Sequence, residues 1–302
     1  MSRTVDISII IVTWNSHKFI KECLDSIFSQ EKVDFEVFVV DNNSWDKTSE
    51  IIRENYPQVN FISNPKNLGY AKANNQALKL AQGKFILFLN PDTKLHSDAL
   101  SKMLGFMLQN QEAAALGPQL LNPDGTIQPS CREFPRYSTL LWEFTGLSRL
   151  FPKSKIFGAW RMGYFDHQKI REVDQPMASA LMVRKEVLDD LGFLDESFPM
   201  FFNDVDLCYR IRKADKKIFF YPEAKITHYK GKSIETVKPE MIILSHLAFY
   251  RFFKKHKKGI PNKILNDLFG ILLLLSADLR ILFYHLRKII FLACTSPSVS
   301  IL

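Results

Sequence analysis

At 302 residues the chain is long enough to bury a substantial core, and no Gly/Ser linker or low-complexity tract divides its first roughly 235 residues. Its four cysteines, Cys23, Cys131, Cys208 and Cys294, lie far apart with no Cys-x-x-Cys pair, which excludes a zinc ribbon and a disulfide framework and fits a reducing cytosol. A net charge of +8 suits phosphates, nucleic acid or an anionic membrane surface, and by itself selects none of them.

Met1-Ser2-Arg3-Thr4 leads directly into a β-branched run at residues 7–12, with no signal-peptide pattern. Thr13-Trp14-Asn15-Ser16 follows, then Phe19, Ile20, Cys23, Leu24, Ile27 and Phe28 at helical spacing. The sequence predicts strand, loop and helix. A second round runs from Phe35 through Asp41-Asn42-Asn43-Ser44, with Ser44 as the expected N-cap of a helix carrying Ile51 and Ile52. A short strand near Val59 and Ile62 precedes "NPKNLGYAKANNQALKLAQG", whose Gly83 is the expected helix C-cap. The fourth strand, "FILFL", stops abruptly at Asn90-Pro91-Asp92.

Strands alternating with helices predict an α/β fold, a parallel sheet covered on both faces. The loops after its strands should converge on one edge, bringing Thr13, Asn15, Asp41, Asn90 and Asp92 together. The first strand–helix loop has no glycine, so a dinucleotide-binding dehydrogenase is excluded, and no Walker phosphate loop occurs. A bound diphosphate would then need its charge offset by a divalent cation held by carboxylates. Asp92 is one candidate ligand, although Asn-Pro-Asp-Thr is also an ordinary turn.

A second acidic cluster lies in "FPMFFNDVDLCYRIRKAD", where Asp204 and Asp206 open a helix with Leu207 and Ile211 turned inward. Asp206 and Arg210, four apart, predict a helix-surface ion pair. Asp204 would serve as a general base if Met200, Phe201 and Phe202 raise its pKa by desolvation. An acid at a helix start is also explained by the helix dipole. His228, in "ITHYKGKS", gains meaning only from this company.

"ISIIIVTWNS", "VVDNNSWDKT", "NPKNLGYAKANNQAL", "FLNPDT", "MASALMVRKEVLDDLGFLDESFPMFFNDVDLCYRIRKAD" and "ITHYKGKS", in this order, resemble the family 2 glycosyltransferases with the GT-A fold. Within them the chain is similar to a rhamnosyltransferase-like branch that builds bacterial surface polysaccharides. The resemblance covers about residues 5–235. It implies a mostly parallel, Rossmann-like sheet flanked by helices, with residues 1–120 as the nucleotide-sugar half and 121–235 as the acceptor half. By the same resemblance, Thr13 and Asn15 line the nucleotide pocket, Asp41 accepts a hydrogen bond from the donor's pyrimidine, and Asn67 and Gly69 pack near the nucleoside. Asp92 and His228 would hold Mg2+ or Mn2+, and Asp204 would be the catalytic base of an inverting transfer. The chain departs from the pattern at Asn90, a nucleotide-site residue where the first acid of Asp-X-Asp is expected, and at Asn203, where an acid often precedes the base.

The implied partners are a nucleoside diphosphate sugar, favoured as deoxythymidine diphosphate rhamnose, and a polyprenyl-linked saccharide acceptor. A uridine diphosphate sugar is the alternative donor, and a catalytically silent membrane scaffold the alternative of another class. Nucleic acid is not expected as a partner, because the basic residues accompany no recognition motif. Residues 236–302 form a different segment: Lys254, Lys255, Lys257 and Lys258 precede an apolar tail whose longest uncharged stretch, residues 268–277, is too short to span a bilayer. A helix lying in the membrane interface is expected, which would place the enzyme on the inner face of the cell membrane. A helical hairpin packed on protein, or in a homo-oligomer interface, is the competing expectation.

Overall fold

The computed structural model describes residues 5–198, 200–229 and 238–295. Two compact units divide the chain, Met1–Ser233 and Ile234–Leu302. The expected boundary at residues 235 and 236 lies outside the described residues, as does the end of "ITHYKGKS".

In chain order the first unit runs β1 (Ile7–Thr13), α1 (Ile20–Phe28), β2 (Phe35–Asp41), α2 (Thr48–Asn55), β3 (Asn60–Ser63), α3 (Tyr70–Leu78), β4 (Phe85–Leu89), β5 (Thr93–Leu95), α4 (Ala99–Gln109) and β6 (Ala113–Leu121). It continues with β7 (Ile127–Gln128), β8 (Cys131–Arg132), α5 (Tyr137–Phe144), α6 (Leu147–Leu150), β9 (Arg171–Glu172), β10 (Gln175–Pro176), β11 (Ala180–Arg184), α7 (Lys185–Leu191), α8 (Asn203–Lys213) and β12 (Lys217–His228). The second unit holds α9 (Lys238–His256) and α10 (Ile260–Thr295).

The sheet order is β3-β2-β1-β4-β11-β6-β12-β5. The first four strands are parallel, and β11 then runs antiparallel to both β4 and β6. Every residue of β1 and β4 is buried, because successive side chains enter opposite cores. Ile7, Ile9 and Ile11 pack with Cys23 and Leu24 of α1 and Met103 of α4 on one face. Ile10 and Val12 pack with the alanines of α3 and with Leu207 and Cys208 of α8 on the other.

Two local expectations are corrected. Ser44 does not cap a helix: α2 starts at Thr48, whose amide donates to Asp46 Oδ1 at 3.0 Å, while Ser44 turns its hydroxyl to Asp41. A carboxylate two residues ahead accepts the first-turn amide better than a more distant hydroxyl. Gly83 does not cap α3, which ends at Leu78; its amide donates to Ser8 Oγ at 2.8 Å. A Cβ at Gly83 would overlap the Ser8 backbone nitrogen and lie 2.7 Å from the Ile7 carbonyl carbon, so the residue is demanded by contact with β1.

The Asp206–Arg210 pair forms, but not on the surface. Asp206 is fully buried, and Arg210 Nε donates to it at 2.9 Å while the same guanidinium donates to the carbonyls of Leu191, Gly192 and Phe193. Helical spacing foretold the pair, whereas the carbonyls that complete it belong to the chain after α7.

Gly83→Ala forces backbone against backbone in the centre of the sheet. It is expected to cost about 1–3 kcal/mol and to lower the urea midpoint measurably; an unchanged midpoint would disprove the contact.

Candidate active site

The parallel register sets Thr13 beside Asp41 and Asp41 beside Ser63 at the carboxyl edge of the sheet. Asp41 is 1% exposed, and its carboxylate accepts from Thr13 Oγ1 (2.9 Å), Ser49 Oγ (2.9 Å), and both the amide (3.0 Å) and hydroxyl of Ser44. Asn15, left-handed at φ 54°, donates its amide to Ser44 Oγ at 2.8 Å and accepts the Trp45 amide at 3.0 Å. Asparagine tolerates that backbone region better than most residues. Buried Asn42 extends the network: its Nδ2 donates to the Gly69 carbonyl at 3.2 Å, and its Oδ1 accepts from Asn64 at 3.0 Å. Gly69, at φ 81°, donates its amide to Asn67 Oδ1 at 2.9 Å. Thr13, Asn15 and Asp41 therefore form one network, joined to Asn67 and Gly69 through Asn42. Asp41 ties loops together here, and a ligand N–H reaching it would displace a serine hydroxyl.

At the end of β4 the chain leaves the parallel sheet, and β5 pairs instead with β12, setting Thr93 opposite His228. The apolar run stops at Asn90 for this reason. Asp92 is consequently buried beside His228, with Oδ1 3.5 Å from Nε2. Gln128 fixes the histidine tautomer. Its Nε2 donates to the His228 carbonyl (3.2 Å) and Asn122 Oδ1 (3.0 Å), so its Oε1, 2.7 Å from His228 Nδ1, accepts the ring proton. The other ring nitrogen, Nε2, faces the Asp92 carboxylate.

An imidazole nitrogen and a carboxylate converging in this way fit a divalent cation such as Mg2+ or Mn2+, with Gln128 as the orienting partner. Among the described residues no third His, Cys, Asp or Glu completes a cluster. Oxygen ligands from a diphosphate and water would therefore have to fill the coordination shell. Asn90 faces elsewhere: its amide nitrogen donates to the Ser179 carbonyl at 3.0 Å, and its Nδ2 lies 3.4 Å from Ser179 Oγ.

Asp204 stands in the first turn of α8, after Phe202 in a left-handed conformation at φ 68°. Its Oδ1 accepts the Val205 amide at 2.8 Å, and its Oδ2 accepts from Gln175 Nε2 at 3.1 Å and the Ala178 amide at 3.3 Å. Burial pushes the Asp204 carboxyl above the usual aspartate range, against the opposing pull of the hydrogen bonds from Val205, Ala178 and Gln175. Neighbouring Asn203 is buried and donates to the Met200 carbonyl at 2.9 Å, adding no charge beside Asp204.

Residues 175–179 join the two ends of the site. Gln175 and Ala178 hold Asp204, and Ser179, one residue on, holds Asn90 two residues from Asp92. Gln128, Gln175 and Ser179 escaped sequence reasoning. Gln128 acts on a residue a hundred positions away, and neither glutamine nor serine carries a spacing signature.

Residues 8–167, more than half of the chain, match the family described as Glycosyl transferase family 2. The chain is 25% identical over 262 residues to the N-acetylglucosaminyl-diphospho-decaprenol L-rhamnosyltransferase of Mycobacterium tuberculosis, covering 83% of this chain and 85% of the relative. Its fold is similar to that of S. aureus TarS 1-349 in complex with UDP, at TM-score 0.52 and 20% identity over 81% of this chain and 65% of that one. It is also similar to GalNAc-T7 with UDP, GalNAc and Mn2+, at TM-score 0.55 and 14% identity over 76% of this chain and 44% of the other. The family match spans the strand ends that carry Thr13, Asp41 and Asp92, and the chain belongs to glycosyl transferase family 2.

Proposed function

We propose that this glycosyltransferase moves rhamnose from deoxythymidine diphosphate rhamnose to a hydroxyl of a polyprenyl-linked saccharide, with inversion, in the synthesis of a surface polysaccharide. The observation that carries this reading is a carboxylate, Asp204, fixed by Gln175 and Ala178 on the segment that also binds Asn90 beside the Asp92–His228 pair. Donor sugar and acceptor are proposed from the mycobacterial relative's name, since the alignment spans most of both chains. A uridine diphosphate sugar is the second reading for the donor, favoured by the solved relatives that hold UDP.

Asp204, ionised, takes the proton of the acceptor hydroxyl as its oxygen bonds to the anomeric carbon and the bond from that carbon to the diphosphate oxygen breaks. Attack opposite the leaving group inverts the centre. Thr13, Asn15, Asp41, Asn67 and Gly69 surround the nucleoside, with Asn90 at the sugar-proximal end. Asp92 and His228 Nε2 would hold a divalent cation, which would offset the charge developing on the departing nucleoside diphosphate. With only two protein ligands, such an ion would be held tightly only together with the diphosphate oxygens.

Calorimetry with deoxythymidine, uridine and guanosine diphosphates, each with Mn2+ or Mg2+ and again with chelator, tests the donor site. The expected result is binding of the deoxythymidine compound only with metal, lost in Asp92→Ala; preference for uridine diphosphate installs the second donor reading, and no binding at all favours a silent scaffold.

Asp204→Asn is expected to reduce transfer by about a hundred- to ten-thousand-fold while leaving nucleotide affinity nearly unchanged. An active Asn variant would sink the base assignment. Transfer requires ionised Asp204, so kcat/KM falls as pH drops through its raised pKa, and the acid limb lies above that of an ordinary aspartate. Gln175→Leu removes a hydrogen bond that favours the charged form, so the limb moves to still higher pH; a profile unmoved by this change would show that Gln175 does not position the base.

A further inference from the structure

The second unit is a helical hairpin, α9 and α10, whose outer face is strongly apolar. The contact of α10 with α9 mixes polar, small and large apolar groups: Leu273 and, on α9, Phe252 and Phe253 are buried, Asn266 Nδ2 donates to the Lys257 carbonyl at 3.1 Å, Ser276 Oγ lies 3.3 Å from His246 Nε2, and Gly270 sits against Tyr250 so closely that a Cβ would be 3.0 Å from the ring. Phe269 stacks on Phe253 with ring centres 6.4 Å apart, and Ala277 continues the buried stripe. Leu268, Ile271, Leu275, Leu279, Leu282 and Phe283 point away from that stripe, each more than half exposed. A helix packed in water does not leave an arc of leucine this long exposed unless a partner covers it. Helices packed in lipid join through small and polar residues and leave leucine outside.

By length and composition residues Ile260–Leu286 could cross a bilayer. The placement of the charges argues against crossing. Lys263, Asp267, Asp278 and His285 are all exposed, and their intervals of four, eleven and seven residues bring them onto one row of the helix, along a single margin of the apolar arc. A spanning helix would carry Asp267 and Asp278 into hydrocarbon, whereas a helix lying in the plane keeps the whole row at one depth, in the headgroups. Lys254, Lys255, Lys257 and Lys258 flank the turn between the helices and match an anionic surface in charge.

We infer that α10 lies in the plane of an anionic bilayer, with the leucine arc of residues 268–283 among the acyl chains and the row from Lys263 to His285 at the water margin. This deepens the proposed reading by naming the partner that brings the enzyme to a lipid-linked acceptor, and it rests on that reading only for its purpose. The occupant is lipid, rather than a second copy of the chain.

The test uses the full chain in a Cys294→Ser background, the cysteines at 23, 131 and 208 being buried. Single spin labels are placed at Leu268→Cys, Leu275→Cys, Leu282→Cys and Asp278→Cys, and the protein is floated with vesicles of phosphatidylcholine mixed with phosphatidylglycerol. Oxygen against water-soluble nickel accessibility is expected to give one common acyl-chain depth for the three leucine positions and an aqueous setting for 278. Unlabelled Leu275→Glu is expected to lose about tenfold in vesicle partition. A depth that changes steadily from 268 to 282 would mean a spanning helix and overturn the inference. So would failure to float, or a stable lipid-free dimer by light scattering with these labels shielded from both reagents. Nucleotide binding, followed by calorimetry on the same samples, separates the two readings: a protein that floats but binds no nucleotide keeps this inference and loses the transferase assignment, and the reverse result does the opposite.

Discussion

The site depends on one reversal of chain direction. Had the strand beside β4 been parallel, its carboxyl end would have met the same edge as the others and its amino end the far side. Antiparallel β11 instead delivers its entry, residues 175–179, to the edge where β1, β2 and β4 finish. Two hydrogen bonds to Asp204 and two to Asn90 come from this stretch. The Asp204 end of the edge is thereby registered against the Asp92 end through backbone and side-chain contacts of one short segment.

The two acids answer to opposite pressures. Asp41 is buried among four hydrogen-bond donors from Thr13, Ser44 and Ser49, a structural use of a carboxylate. Asp204 is buried with fewer donors, and the loss of water outweighs them, leaving a carboxylate that binds a proton more readily. The same residue type thus serves as a tie at one end of the sheet edge and, at the other, is left with a raised affinity for protons.

Much of the architecture was legible because burial on both faces writes a continuous apolar run, as in β1 and β4. Asp92 and Asp204 were legible by their places, one just past a strand end and the other in the first turn of a helix. Gly83 misled because a glycine after a helical pattern fits a cap, and only the neighbouring strand reveals the contact it serves. Ser44 misled because Asp46, two residues on, competes for the same amide. Gln128 and Gln175 stayed silent because each acts across a distance in sequence that no local pattern encodes.

Arg210 joins what the chain separates. Its guanidinium fills the carbonyls at the end of α7 and neutralises Asp206, one turn of helix or less from Asp204. The two helices therefore open together or not at all, since freeing either strands a buried charge or a set of carbonyls. Asp204, two residues before Asp206, stands on the helix that this cross-tie steadies. A lysine in place of Arg210, with a single ammonium on a flexible stem, could not make the four contacts at once, so rigidity at this point hangs on the planar fork of one side chain.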